Sequence, residues 1–360
     1  MIRVGIIGCG RVADQHAIEI QWIPGCKIVG VCDEEELMAK QMQERFILKY
    51  YFSDVSKLIE ITRPDVVHIT TPPQSHFNLG KFCLEHGCNV FVEKPFTLNS
   101  TEAEELIKLA QEKNLKITVG YNHQFSHAAR RMREIINSGY LGGPPVHLES
   151  IWCYSFSDPG YAKTILGDRN HWIRSLPGRY LHDILSHPVS RIVEFLKSDS
   201  PEVKAHGFVS PYLQARGEND IIDELRVIID DQGQSTAYLT FSSQITPDIK
   251  QFRVYGPKNS LILDHNNQTV IKITKNYTYY LNRFIPPLIY ARQYKANSIN
   301  NIKKFIKSEF HFEGGRRFLI EAFYHSILDN AALPISYHEI LLTTRIMDEI
   351  FKQIYPNKKY

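Results

Sequence analysis

The stretch Ile2-Arg3-Val4-Gly5-Ile6-Ile7-Gly8-Cys9-Gly10-Arg11-Val12-Ala13 decides the fold. Residues 2–7 are apolar and largely β-branched without alternation, the pattern of a strand buried on both faces in a parallel sheet. The run breaks into Gly8-x-Gly10-x-x-Ala13 ahead of a polar, helix-compatible segment. Gly8 and Gly10 permit a tight turn and let backbone N–H groups at the helix start, Arg11 and Val12, approach a pyrophosphate. Ala13 is small enough for close helix–strand packing, and the helix N-terminus adds partial positive charge. Such a motif carries weight only with the right sequel. A second apolar strand, Lys27 to Cys32, ends in Asp33, about 20 residues further on. Asp33 is expected to accept hydrogen bonds from ribose hydroxyls and to repel a 2′-phosphate, with Glu34, Glu35 and Glu36 adding to the repulsion, so NAD is expected in preference to NADP. The competing reading of Asp33 is a helix N-cap after a strand.

Working outward, apolar strands recur at 65–70, 89–92 and 116–119, separated by helical patterns such as 76–86 and 100–113. Alternating β and α units predict an α/β fold, a Rossmann-type doubly wound parallel sheet over residues 1–122. Ligands of such sheets sit at the carboxyl ends of the strands, here Thr70-Thr71-Pro72-Pro73, Glu93-Lys94-Pro95 and Gly120-Tyr121-Asn122. Beyond residue 122 the pattern changes to a helix at 127–138, then strands at 146–154, 203–209, 224–230, 235–243, 249–255, 260–264 and 269–274. Short turns between several of these strands predict an α+β domain over 123–360 with a large, mainly antiparallel, open-faced sheet.

At 360 residues the chain is too long for one ordinary core, which agrees with two domains. A formal net charge of only +3 argues against a nucleic-acid partner. The six cysteines (Cys9, Cys26, Cys32, Cys83, Cys88, Cys153) have no metal-ligand spacing, so no metal is expected, and free thiols point to a reducing compartment. Residues 1–7 run straight into the glycine motif and leave no room for a signal peptide, and no apolar stretch is long enough to span a bilayer. The expected location is the cytoplasm.

At this point the chain resembles the Gfo/Idh/MocA oxidoreductases, the group of glucose-fructose oxidoreductase and inositol dehydrogenase. The resemblance rests on the glycine motif with Asp33, on Thr71-Pro72-Pro73-Gln74-Ser75-His76, and on Glu93-Lys94-Pro95. It continues in His171-Trp172, Leu176-Pro177-Gly178 and Asp183-Ile184-Leu185-Ser186-His187. It implies hydride transfer between a hydroxyl-bearing carbon of a sugar or nucleotide sugar and nicotinamide C4, with Lys94 and His187 on the reacting hydroxyl and Asp183 close by. It further implies that Gly8, Gly10, Arg11, Val12, Asp33, Thr71, Pro72, His76, Glu93, Lys94 and Asn122 hold the dinucleotide. A cis bond before Pro95 and a homo-oligomer formed through the second sheet are implied as well.

Elementary chemistry agrees with the catalytic roles. Removing hydride from a secondary alcohol requires loss of the hydroxyl proton to a base effective near neutrality, which suits His187, or Lys94 set in a buried site beside the cationic nicotinamide. Asp183 and His187 lie four apart, one helical turn, so each reaches the same face if a helix runs through them. Pro188 works against that, because proline disfavours α conformation in the residue before it and cannot donate to Ile184. By position, Tyr121, His123, Gln124, Arg169, Trp172 and Arg179 are candidate substrate contacts, each equally readable as structural. Where relatives often carry arginine near the domain crossing, this chain has His123 and Gln124.

Residues 272–310 are unusually basic, with Lys272, Lys275, Arg283, Arg292, Lys295, Lys303, Lys304 and Lys307 against Glu309 alone. From Ser298 onward Ile299, Ile302, Phe305, Ile306 and Phe310 form a stripe opposite lysines, the pattern of a helix on an anionic membrane surface or of an ordinary surface helix. Peripheral membrane contact through 283–310 is therefore one expectation. A second class of function follows from it: a dinucleotide-binding protein without turnover, docked to a membrane or a glycan-assembly complex.

Overall fold

The computed structural model describes residues 1–155, 167–273, 275–307, 309 and 314–356. Thr274 of the last expected strand and Phe310 of the expected stripe lie outside them. Contacts divide the chain into two units, Met1–Asn122 with Arg316–Arg345, and His123–Gly315 with Ile346–Tyr360.

In the first unit six parallel strands, β1 (Ile2–Ile7), β2 (Cys26–Cys32), β3 (Tyr51–Phe52), β4 (Val66–Ile69), β5 (Asn89–Val92) and β6 (Ile117–Val119), stand in the order β3-β2-β1-β4-β5-β6. Helices α1 (Arg11–Gln21), α2 (Glu36–Phe46), α3 (Val55–Thr62), α4 (His76–Glu85) and α5 (Ser100–Glu112) form the connections. Val4, Ile6, Val66, Val67, Val90 and Val92 are wholly buried, as uninterrupted apolar runs require in a sheet covered on both faces. The strand order reverses between β1 and β4, so the carboxyl ends of these two strands diverge into a crevice where a dinucleotide can lie.

The sequence reading placed all of 123–360 in the second domain; the contacts place Arg316–Arg345 in the first unit. Helix α9 (Gly314–Leu328) brings Phe323 to a ring distance of 5.9 Å from Phe91 of β5, and the Tyr324 hydroxyl to 2.8 Å from His68 Nε2 of β4. Lys116 donates to the Ala331 carbonyl at 2.9 Å. Burial of Leu319, Ile320, Phe323 and Tyr324 gives this return its driving force.

In the second unit β7 (His147–Cys153), β8 (Glu202–Phe208), β9 (Glu224–Asp230), β10 (Thr236–Ser242), β11 (Ile249–Tyr255), β12 (Ser260–Asp264) and β13 (Thr269–Ile273) form one sheet in the order β13-β12-β11-β7-β10-β9-β8. Neighbours are antiparallel except β7 and β10, which pair in parallel from His147/Thr236 to Cys153/Ser242. A parallel pair needs a long crossover, and the chain between these strands holds α7 (Arg179–Val193) as well as β8 and β9. Burial alternates along β10, with Ala237, Leu239 and Phe241 inward and Tyr238 about half exposed. Helices α6 (His127–Asn137), α7 and α8 (Leu281–Ile306) accompany the sheet, and α10 (Tyr337–Ile354) is divided between the units at Ile346. All six cysteines are free.

Candidate active site

The turn after β1 is built for glycine. Gly8 has φ +91°, and a Cβ there would stand 2.8 Å from the backbone of Thr70 and Thr71, so the turn and the end of β4 approach as closely as backbones can. Gly10 is the N-cap of α1; it contributes no side-chain cap, and a Cβ there would meet nothing within 4 Å. The first turn of α1, with Arg11 exposed and Val12 half-buried, thus begins beside open space, and Ala13 is wholly buried beneath it. Asp33 ends β2 with one carboxylate oxygen accepting from Cys9 N–H at 2.7 Å and the other from Glu35 N–H at 3.0 Å. The second bond leads into α2 without capping it, since the N-cap is Glu35, and the first joins Asp33 to the glycine turn itself, next to where a ribose must lie if the turn holds the pyrophosphate. Glu34, Glu35 and Glu36 are exposed alongside. An open cradle, an uncapped helix start and a carboxylate at its lip fit a dinucleotide with an unphosphorylated ribose.

Thr71 is half-buried and Pro72 exposed. Behind them His76 is fully buried, its ring nitrogens 2.9 Å from the Thr71 carbonyl and 2.8 Å from the Pro95 carbonyl. It braces two cofactor-side loops and does not face a ligand; burial lowers its proton affinity despite those carbonyls. The Lys94–Pro95 bond is cis, and Lys94 is half-buried at the end of β5.

Glu93 also points inward. It is 6% exposed, and one oxygen accepts from Lys94 N–H at 3.1 Å while the other lies 2.7 Å from His16 Nε2 and 3.8 Å from the Arg316 guanidinium. Burial works to raise its proton affinity, but the hydrogen bond from His16 and the charges of His16, Arg316 and Lys94 outweigh it, holding the carboxyl down at about 2. The line continues: His16 Nδ1 is 2.7 Å from His68 Nδ1, whose Nε2 meets the Tyr324 hydroxyl. A carboxylate only accepts, so His16 donates to it from Nε2. With His16 charged, it donates from Nδ1 to His68, and the neutral His68 donates from Nε2 to the Tyr324 hydroxyl, so every member of the line is matched. Burial, then the neighbouring His16, drives His68 strongly toward its neutral form. Gly120 leaves room for this arrangement, since a Cβ there would stand 2.9 Å from Glu93 Oε1. Glu93 and His76 therefore support Lys94 and Thr71 from inside the fold.

Two more expected contacts are internal. Tyr121 is 1% exposed, with its hydroxyl beside Thr343 and Thr344, and burial pushes that hydroxyl up and keeps it protonated. Gln124 is equally buried and donates to the Ser190 carbonyl at 2.8 Å, bracing α7. Neither faces solvent. Asn122 is half-buried at the end of the first of the two segments that make up the first unit.

In the second unit α7 runs unbroken through Pro188. Of its fifteen residues only Arg179, Asp183 and His187, spaced at i, i+4 and i+8, are not buried. Asp183 and His187 do share a face, and the expected break is absent: the helix around Pro188 is enclosed by its neighbours, and packing offsets the missing hydrogen bond. Arg179 pairs with Asp220 and lies over the Tyr355 ring, which engages its charge within the fold. Arg169 is exposed, and Trp172 is half-buried with its ring 5.3 Å from His171.

Around His187 stand His123, one of the expected substrate contacts, and four residues that the sequence pattern did not single out. His123 is edge-on to His187 at 4.4 Å, to Trp152 at 4.9 Å and to His265 at 5.5 Å; Lys250 Nζ lies 5.6 Å from the Trp152 ring and 5.4 Å from Tyr154. Burial, then the nearby His123, Arg191 and Lys250, pushes His265 well toward its neutral form. Burial, together with Tyr180 and the Asp183 carboxylate, drives the Tyr154 hydroxyl far up. Trp152, Tyr154, Lys250 and His265 sit on strands and a strand turn, where alternation was the only signal and read as sheet. Among the described residues no group of His, Cys, Asp and Glu could hold a metal ion.

Residues 2–121 match the model of the Gfo/Idh/MocA family, an oxidoreductase family with an NAD-binding Rossmann fold. That match covers the glycine turn and the parallel sheet of the first unit. Among its relatives is the myo-inositol 2-dehydrogenase of Thermotoga maritima, 22% identical over 308 residues, covering 85% of this chain and 88% of the relative. The UDP-N-acetylglucosamine 3-dehydrogenase of Acidithiobacillus ferrooxidans is 31% identical over 149 residues, 41% of this chain and 44% of that protein. Among solved structures, an oxidoreductase from Agrobacterium radiobacter in complex with NAD+, L-tartaric acid and magnesium superposes with a TM-score of 0.77 at 15% identity, covering 99% of this chain and 97% of the other. The chain is an NAD-binding oxidoreductase of α/β fold.

Proposed function

We propose that the chain is an NAD-dependent dehydrogenase of a sugar or nucleotide sugar, in which Lys94 and His187 handle the proton of the reacting hydroxyl. The observation that carries this reading is the α7 stripe: a helix buried nearly everywhere else leaves Asp183 and His187 only half-buried on one face, one turn apart. Bound NAD supplies the hydride acceptor at nicotinamide C4. His187 takes the hydroxyl proton as the carbonyl forms, and in the reverse direction Lys94 polarises the carbonyl oxygen. Asp183 orients the imidazole or holds a neighbouring hydroxyl. His123 and Trp152 wall the imidazole, and an aromatic wall suits the apolar face of a sugar ring. The relatives' activities, those of an inositol and a nucleotide-sugar dehydrogenase, support this substrate class and weigh against a dinucleotide-binding protein without turnover. Incubating the protein with NAD and a panel of nucleotide sugars and inositols should produce NADH with at least one of them; silence across the panel would refute the reading.

The cofactor preference has its own test. Asp33→Ala should weaken NAD roughly 10- to 100-fold, the worth of hydrogen bonds to a charged acceptor, and narrow or invert the preference over NADP. Titrating both dinucleotides into wild type and variant decides it, and an unchanged NAD affinity would remove Asp33 from the ribose. The proposal extends to a homo-oligomer through the outer face of the second sheet, where Ile228 and Tyr238 sit opposite each other in the ladder at 50% and 49% exposure. Light scattering should then show an assembly that Ile228→Glu breaks.

A further inference from the structure

Helix α8 turns its polar side to the protein. Strand β13 is the last in its sheet and is paired only with β12, so Val270 and Lys272 need partners for the backbone groups on their other side. Gln293 answers with both ends of its amide, accepting from Lys272 N–H at 2.8 Å and donating to Lys272 C=O at 2.9 Å. One turn later Asn297 does the same for Val270, at 3.3 and 3.1 Å, and one turn beyond it Asn301 donates to the Asn267 carbonyl at 3.0 Å. Four residues of helix advance about 6 Å and two residues of strand about 6.6 Å, so amides at helical spacing match every second strand residue. Side chains of α8 thus stand in for a missing strand.

The apolar side of α8 consequently faces outward. Leu281, Phe284, Leu288, Ile299, Ile302 and Ile306 are 44–75% exposed. At 3.6 residues per turn these six fall within an arc of about 60°. Arg292 and Lys295 lie in or beside that arc and Lys303 flanks it, and Tyr279, Tyr280, Tyr294 and Phe305 are exposed as well. Between 281 and 307 the chain carries Arg283, Arg292, Lys295, Lys303, Lys304 and Lys307 and no acidic residue. Among the described residues no helix is long and apolar enough to cross a membrane.

We infer that this face of α8 docks the protein on an anionic lipid surface, with the helix lying in the plane of the headgroups. The apolar arc enters the acyl boundary, the basic residues meet lipid phosphates, and the tyrosines suit the interface. Charge chooses this occupant over a second copy, since two copies of the face would set cations against cations across the contact. The inference goes beyond the dehydrogenase reading and does not depend on it.

The test is sedimentation of the full chain with phosphatidylcholine vesicles and with vesicles that also carry phosphatidylglycerol. The protein should pellet with the anionic vesicles only, and less so as salt rises. Lys295→Gln with Lys303→Gln should lower the partition coefficient roughly tenfold or more, since each basic residue near the surface contributes on the order of a fivefold gain. Leu288→Ser with Ile302→Ser should do likewise; both residues are exposed, so circular dichroism and NAD binding should stay as in wild type. Absence of binding to the anionic vesicles would overturn the proposal, as would binding undiminished in both variants. Vesicle binding that is absent while Leu288→Ser with Ile302→Ser changes the oligomeric state in light scattering would assign the face to a second copy instead.

Discussion

Lys94→Ala and His187→Ala should each lower kcat by roughly 10²- to 10⁴-fold, the range that a positioned acid or base contributes, while NAD binding and thermal unfolding should stay close to wild type. The reason to expect a kinetic rather than a structural loss is where the two residues stand. Lys94 and His187 are both half-buried, and each sits in a frame that other residues hold. Glu93 fixes the chain at Lys94; at His187 the enclosed helix and Gln124 do so. Once a substrate is found, kcat and KM are measured for both variants together with NAD affinity. Turnover retained in both would sink the assignment of the proton. A loss in KM alone would make them binding residues.

The second large effect is on stability. His16→Leu should lower the free energy of unfolding by about 3–5 kcal/mol, because it strips the Glu93 carboxylate and the His68 Nδ1 of their side-chain hydrogen bonds in a site closed to water. Glu93→Gln should cost less at neutral pH and change the pH dependence. The Glu93 carboxyl stands at about 2 in the folded chain against an ordinary 4.5, so it is depressed on folding. Its contribution is therefore fully present above 4.5 and is lost as pH falls from there toward 2, because the unfolded chain takes up the proton first. Urea denaturation across that window should show wild type losing stability faster than Glu93→Gln, with the two curves converging in acid. Parallel curves would mean that Glu93 is not held ionised by His16 and Arg316. Since Glu93 accepts the Lys94 N–H, the same variant should lower kcat more than it changes NAD affinity.

Much of the first unit could be read from local sequence. A buried strand, a glycine turn and a helix start are consecutive, and the acid that completes the site ends the next strand, so spacing alone encodes Gly8, Gly10 and Asp33. The position of Lys94, at the end of another such strand, was legible in the same way. Glu93 and His76 belong to the same motifs, yet their side chains turn inward. A motif records which residues are near the ligand and not which way each side chain points, and direction depends on partners such as His16 and Arg316. Pro188 misled for a related reason: local backbone preference predicts a break, and burial of nearly every α7 residue overrides it.

The sequence by itself determined the parallel dinucleotide-binding sheet, the mainly antiparallel second sheet, the cofactor class and the residues that carry the proposed chemistry. Period and spacing over a few dozen residues suffice for those. Only the tertiary structure decided that Arg316–Arg345 returns to the first unit, where Tyr324 meets His68 across 256 positions of chain. It alone set His123, Trp152 and His265 around His187, and turned the amides of α8 to the sheet edge with its isoleucines outward. Contacts of that range leave no periodic trace, because each side of the pair satisfies its own local pattern and the choice between partners is made by burial and hydrogen bonding when the chain packs.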